Sequence, residues 1–358
     1  MVRHTYVPLT LGATLLLLAG NAAPAPVQPY TFTNIADTNG PFSFFNAFAP
    51  INEAGTVVFH ALLDTGNFGI FTSHGEAVTT IVDTSGPLEA PRFPGINAAG
   101  TVSFVADLPT GDEAIFTWRN GRLAVIADTS GPFSHFGHIP ALNARGMVAF
   151  SAELDTGGER VVTGRGGPLT IISDSNGPLH SFSSLAMNAN GTVAFSAALD
   201  EGGSGLFSGR GGPLTTIAAS PEPASFGRTA INANGTVAFV GPHGNGRGIF
   251  TGRGGSLRVI VEWDGPFNAF DFDGVAINDA GTVAFAAGDD SVPFYGIFTG
   301  PDPLKDKVIG TGHPLFGSTV KRVGFFDSMP FLNNAGQVGF WYELADGRWG
   351  VARADPAF

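Results

Sequence analysis

Cysteine is absent from the 358 residues of this chain. That excludes disulfides, thiolate metal ligands and lipid attachment at a cysteine. Charge is scarce. Asp, Glu, Lys and Arg make up 13% of the chain, and 30 acids against 18 bases leave a net charge of −12. Such a chain lacks the basic stripe that nucleic acid or an anionic membrane surface requires. Long apolar runs are missing as well. Leu9 to Gly20, with Leu15, Leu16, Leu17 and Leu18, falls short of the roughly 20 residues that span a bilayer. Arg3 and His4 precede that run, and Gly20, Ala22 and Ala23 follow it, which is the layout of a secretory signal. We therefore expect a cleaved signal over 1–23, a linker over 24–29 and one domain over 30–358, with no membrane insertion. The chain stops at Pro356-Ala357-Phe358, where no C-terminal anchor is expected. There is no GxSxG, no Walker loop and no EF-hand-like loop.

What the chain has in abundance is glycine (51), phenylalanine (32) and one phrase. The phrase reads INEAGTVVF (51–59), INAAGTVSF (96–104), LNARGMVAF (142–150), MNANGTVAF (187–195), INANGTVAF (231–239), INDAGTVAF (277–285) and LNNAGQVGF (332–340). Its asparagines, Asn52, Asn97, Asn143, Asn188, Asn232, Asn278 and Asn333, are 45, 46, 45, 44, 46 and 55 residues apart. A repeat of that length is one supersecondary unit copied along the chain.

Each unit contains four short apolar segments between turn signals. Asn opens a tight turn by bonding its own backbone two residues on, and Gly four positions along tolerates positive φ. A GTVAF run follows, then GIFT (Gly69–Thr72, Gly248–Thr251, Gly296–Thr299), then a TTIAD-like run and a Gly-Pro loop. Period-2 patterning and β-branched residues predict strands, and no helical stripe competes. Four antiparallel strands per unit of about 45 residues is the blade of a β-propeller. The seventh copy stops after its third strand. Thr31–Asp37, before Thr38-Asn39-Gly40-Pro41, matches the missing fourth. The expected fold is all-β: a seven-bladed propeller closed by its N-terminal strand. A solenoid, or a ring of six or eight blades, is the alternative. Phe59, Phe104, Phe150, Phe195, Phe239, Phe285 and Phe340 are expected between blades, because one sheet with two apolar faces cannot stand alone.

In such a ring the interblade loops and the second-to-third-strand loops share one end, here called the upper face, and the NxxG turns share the other. The upper loops collect most of the aspartates and become the expected ligand face. The recurring Asp-Thr-Ser-Gly-Pro loops offer Asp83, Asp128 and Asp174 as oxygen ligands for Ca2+. The competing reading, that each aspartate caps its own loop, is favoured by the recurrence. His135, His138 and His180 lie in neighbouring loops and are candidates for ligand contact or a metal. Asp271 and Asp273 form an acid pair. The seventh copy has a longer lead-in, Leu315 to Met329, carrying Lys321 and Arg322, and a loop enlarged beyond its siblings is a place to look for function.

The phrases NEAGTVVF, NARGMVAF, NANGTVAF and NDAGTVAF resemble the bacterial choice-of-anchor tandem-repeat family named for NxxGxVAF. The resemblance covers most of 30–353 and implies an exported or surface protein with no assigned activity. The expected function is a secreted, non-catalytic and monomeric module that binds a glycan or a protein partner on its acidic loop face. A polysaccharide lyase or glycosidase using upper-face acids or histidines is the second reading, and a structural envelope or matrix protein the third.

Overall fold

The computed structural model describes residues 30–357 apart from 222–225, 244–245, 263–264, 266, 268, 290–293 and 326–328. The expected signal and linker lie outside them, as do the side chains of His138, Asp271 and Asp273.

The described residues form seven antiparallel sheets and no helix. Blade I is built from Phe42–Phe45, Val57–Leu63, Phe68–Ser73 and Val78–Asp83. Blades II to VI repeat that order, starting at Glu89, Phe133, Leu179, Thr229 and Ala269. Blade VII takes three strands from the C-terminus, Ser318–Gly324, Val338–Leu344 and Trp349–Pro356. Its fourth is Tyr30–Asp37, which pairs with Trp349–Pro356 from Tyr30 opposite Pro356 to Asp37 opposite Gly350. Tyr342 Oη reinforces that seam by donating to Asn34 Oδ1 at 3.0 Å. The fold is a seven-bladed β-propeller closed by its two termini.

The GTVAF alternation decides how blades pack. In five blades the phrase-ending phenylalanine sits opposite a phenylalanine of strand three, as in Phe59 with Phe71, Phe104 with Phe116 and Phe239 with Phe250. Those three ring pairs stack with centroids 5.4–5.7 Å apart. In blade III the opposite residue is Val162, and in blade VII Ala352. All seven phrase phenylalanines are at most 1% exposed. The core divides into seven clusters, six of them shared by two consecutive blades and the seventh joining blades VI and VII with Phe48 of blade I and Ile139 of blade III. One joins Ile249 and Val261 of blade V to Phe267 and Phe285 of blade VI, and another joins Val351 of blade VII to Phe59 of blade I. Every interface is therefore an aromatic wedge, and Phe→Ala in one of them costs about 3–5 kcal/mol.

First strands line the axis. Gly95, Ala141, Ala186, Ala230 and Ala276, the small residues two before five of the seven asparagines, surround an apolar axial cavity of about 110 Å3. The long lead-in of blade VII packs into the core: Leu315, Phe325 and Met329 are 4%, 1% and 3% exposed. Gly274 of blade VI is required there, because a Cβ would meet the Phe325 ring at 2.2 Å.

The asparagines do more than start turns. Each Oδ1 accepts the N–H four residues on, as Asn188 does from Thr192 at 3.0 Å. Each Nδ2 reaches into the next blade and donates to the carbonyl oxygen of the next asparagine. The chain of bonds runs Asn52→Asn97, Asn97→Asn143, Asn143→Asn188, Asn188→Asn232, Asn232→Asn278 and Asn278→Asn333, at 2.9–3.4 Å. Asn333 returns to Asn52 at 3.0 Å. Seven buried carboxamides thus form a closed hydrogen-bonded collar at the lower end of the axis. A carboxamide suits this because it accepts and donates from one side chain.

Candidate functional site

At the upper rim of blades II, III, IV and VII, the first strand faces the second at the residue that follows the phrase phenylalanine. That residue differs in size and polarity from copy to copy: His60, Val105, Ser151, Ser196, Val240, Ala286 and Trp341. Its side chain alternates to the sheet face opposite the phenylalanine, towards the next blade. Two residues further on, in blades I to IV and VII, strand two meets the first residue of strand three. In blades I to IV and VII these positions make a shallow socket, and the blades fill it differently.

In blade I, His60 is 8% exposed, accepts from Asn46 and packs against Phe68 at 5.5 Å. Burial without a charge partner lowers its pKa from 6.5 to about 4, so the ring is neutral at pH 7. In blade IV, Ser183 and Ser196 close on each other at 2.6 Å. In blade II, Asp107 and Glu113 are cross-strand neighbours, and Arg92 lies between them. Its Nη1 is 2.9 Å from Asp107 Oδ1, and its Nη2 bonds Glu113 Oε1. Glu113 Oε2 accepts the Phe136 N–H of blade III at 2.9 Å.

Blade III keeps the two acids as Glu153 and Glu159, again cross-strand neighbours. Glu159 Oε2 accepts the Phe182 N–H of blade IV at 3.0 Å, as Glu113 does one blade earlier. The arginine position is Gly137, opposite Ser151. The outcome is a cavity of about 300 Å3 lined by His135, Gly137, Ser151, Glu153, Glu159 and Phe182. Ser151 is 4% exposed and its Oγ has no hydrogen-bond partner in the protein.

Blade VII fills its socket with aromatics. Trp341 and Trp349 stack at 6.0 Å with 13° between planes. The Arg322 guanidinium lies 5.4 Å from the Trp341 centroid, and Phe44 of blade I lies 6.3 Å from Trp349. The result is a four-layer ladder across the seam where the ring closes, in which cation–π and stacking contacts add to area burial. Glu343, buried beneath it, binds Lys321 and lies 3.8 Å from Arg322. The Lys321 and Arg322 side chains remain 61% and 63% exposed, and Phe44 is 40% exposed.

The residues singled out from sequence separate accordingly. Lys321 and Arg322 meet at Glu343, and Arg322 alone caps the ladder. His135 Nδ1 is 3.2 Å from Glu113, and His180 Nδ1 is 2.8 Å from Asp200, so each histidine holds its own carboxylate. Asp83, Asp128 and Asp174 each accept the N–H two residues on, from Ser85, Ser130 and Asn176. They cap their own loops on three separate blades. Among the described residues no group of three or more His, Asp or Glu side chains is placed to hold a metal ion. Trp341, Trp349, Phe44 and the Arg92–Glu113 pair were missed in the sequence. Only Trp341 carried a sequence signal, since it stands at the position after the phrase phenylalanine, which differs from copy to copy.

Solved structures confirm the architecture. The chain is similar to the oligogalacturonate lyase of Vibrio parahaemolyticus at 12% identity and a TM-score of 0.57, over 91% of this chain and 96% of that one. It is similar to a puromycin-hydrolyzing peptidase of Mycobacterium tuberculosis at 12% identity and a TM-score of 0.58, over 93% and 53%. Prolyl endopeptidases match at 11% identity and a TM-score of 0.57, over 88% and 50%, so this chain spans about half their length. At these identities the likeness is one of fold alone. No curated protein matches the chain. Residues 73–314 match DUF7453, a family of unknown function, and the chain belongs to that family.

Proposed function

We propose that this chain is an exported, non-catalytic binding module whose upper face engages a protein partner, with the blade VII–I ladder as its anchor. The observation that carries this reading is the stack of Arg322, Trp341, Trp349 and Phe44, set in a charged and exposed surround. Tryptophan and arginine in a packed cluster are the residues that dominate protein interfaces. A glycan is the weaker choice. Sugars stack on open indole faces, and here Trp341 lies between Trp349 and Arg322. The signal-like N-terminus supports export, and the NxxGxVAF phrases support a bacterial surface or secreted setting.

The test compares wild type with Arg322→Glu and Phe44→Ala as baits for the extracellular proteins of the source organism, beside a glycan array. We expect one protein to be retained in stoichiometric amount by wild type and to be lost with both variants. Retention by all three baits contradicts the anchor. A glycan signal that Phe44→Ala abolishes replaces the protein reading with a carbohydrate one.

A further inference from the structure

We infer that the cavity at the rim of blade III is a socket for a guanidinium group, supplied by an arginine side chain of the partner. The argument is internal to the molecule. Blades II and III share a frame of two cross-strand carboxylates, Asp107 with Glu113 and Glu153 with Glu159. In both, the strand-three glutamate is fixed by a backbone N–H of the next blade, from Phe136 and from Phe182. Blade II satisfies its carboxylates with its own guanidinium, because Arg92 stands opposite Val105 and spans both acids. Blade III has Gly137 opposite Ser151 at the corresponding pair. The acids stay and the arginine is gone.

Three features make the remaining space suit a guanidinium. Its volume, about 300 Å3, lies at the small end of ligand sites, which run from about 300 to 1,000 Å3. Ser151 Oγ, buried and without a partner, supplies an acceptor at the floor. The acids present oxygens from two strands, which a planar fork of N–H donors bridges and a compact ammonium does not. The other titratable side chain lining the space is His135, whose Nδ1 is turned to Glu113. Arg160 belongs to the opposite face of the sheet, since it pairs with Ala152 while Glu159 pairs with Glu153. The socket rests on its own geometry, three blades round the ring from the ladder. Only the assignment of the arginine to a protein rests on the proposed function.

The probes are capped Gly-Arg-Gly, Gly-Lys-Gly and Gly-citrulline-Gly peptides and free arginine, titrated into the full chain. The readout is the amide resonances of Ser151 and Phe182. We expect saturable shifts with the arginine peptide, at least about tenfold weaker binding of the lysine peptide and none of the neutral citrulline peptide. Glu153→Gln with Glu159→Gln is expected to weaken the arginine peptide at least about tenfold, because glutamine still accepts the Phe182 N–H but carries no charge. Gly137→Arg with Ser151→Val recreates the blade II pair and is expected to abolish binding by filling the socket from within. No saturable shift in wild type, equal affinity for the citrulline peptide, equal or tighter binding of the lysine peptide, or indifference to the glutamine pair overturns the inference. Tighter binding of free arginine than of the peptide overturns the protein part and assigns the socket to a small guanidino compound. Loss of partner capture by Phe44→Ala leaves these titrations unchanged, so the two readings fail separately.

Discussion

Asn333 Nδ2 donates to the carbonyl oxygen of Asn52 at 3.0 Å, across 281 residues of chain. That bond is the seventh of a collar whose other six link consecutive blades, and it brings the last repeat onto the first. The same carboxamides hold their own turns through Oδ1. Turn formation and ring closure are therefore one interaction repeated seven times.

Replacing a collar asparagine by aspartate tests this directly. Asn188→Asp keeps the acceptor that holds the Thr192 N–H and replaces the donor to Asn232 by an oxygen facing a carbonyl oxygen. We expect a loss of about 2–3 kcal/mol at neutral pH, more than a conservative surface change produces. Acidification that protonates the carboxyl restores a donor and narrows the gap to wild type. Urea unfolding across pH checks both. An Asn188→Asp protein as stable as wild type contradicts the collar.

A second, outer ring of bonds is incomplete, and completing it should stabilise the fold. The Ala233 N–H donates to Asp279, the Asp279 N–H to Asn334, and the Asn334 N–H to Glu53, each one blade on. In blades II to V the corresponding residues are Ala98, Ala144, Ala189 and Ala233, which have no side-chain acceptor. Ala189→Asn places one beside the Ala144 N–H. The expected gain is about 0.5–1 kcal/mol, modest because that N–H already faces water. The midpoint of chemical unfolding measures it.

The buried imidazole of His60 makes the fold acid-sensitive. Its folded pKa, about 4, lies below the unfolded 6.5, so the unfolded chain takes up the proton first. The contribution is fully present above pH 6.5, declines as pH falls through the window and is lost below about 4. The total is about 3 kcal/mol. His60→Ser, which installs the residue of blades III and IV, should remove that part of the pH dependence. Paired unfolding curves of wild type and variant isolate it from the carboxylates, and parallel curves contradict the assignment.

The fold was largely legible because a periodic sequence states its architecture many times over. Four apolar segments per unit, the NxxG turn and the displaced strand Thr31–Asp37 each appear in local composition, and local composition is what patterning reads. The collar was half legible. Asn52 and its equivalents announce a turn, but their Nδ2 partners lie about 45 residues away and leave no local mark. The upper-rim sockets were least legible. Arg92, Glu113 and Gly137 sit in strands whose alternation looks ordinary, and their meaning comes from superposing one blade on the next. Trp341 and Trp349 stack only because the register sets Trp341 opposite Val351 and Glu343 opposite Trp349. The histidines were conspicuous as residue types, yet His135 and His180 are each held by a carboxylate of the scaffold.

Closure of the ring by the N-terminal strand is the claim on which the rim, the ladder and the collar all depend. It is tested by truncating the chain before Phe42 and following cooperative unfolding, with a peptide spanning Tyr30–Asp37 added back. Losing that strand removes the whole ladder of pairs from Tyr30–Pro356 to Asp37–Gly350 and uncovers Val351 and Phe59. The prediction is loss of the single cooperative transition in the truncated chain and its return when the peptide binds. A truncated chain that unfolds cooperatively at the wild-type midpoint, indifferent to the peptide, contradicts the account.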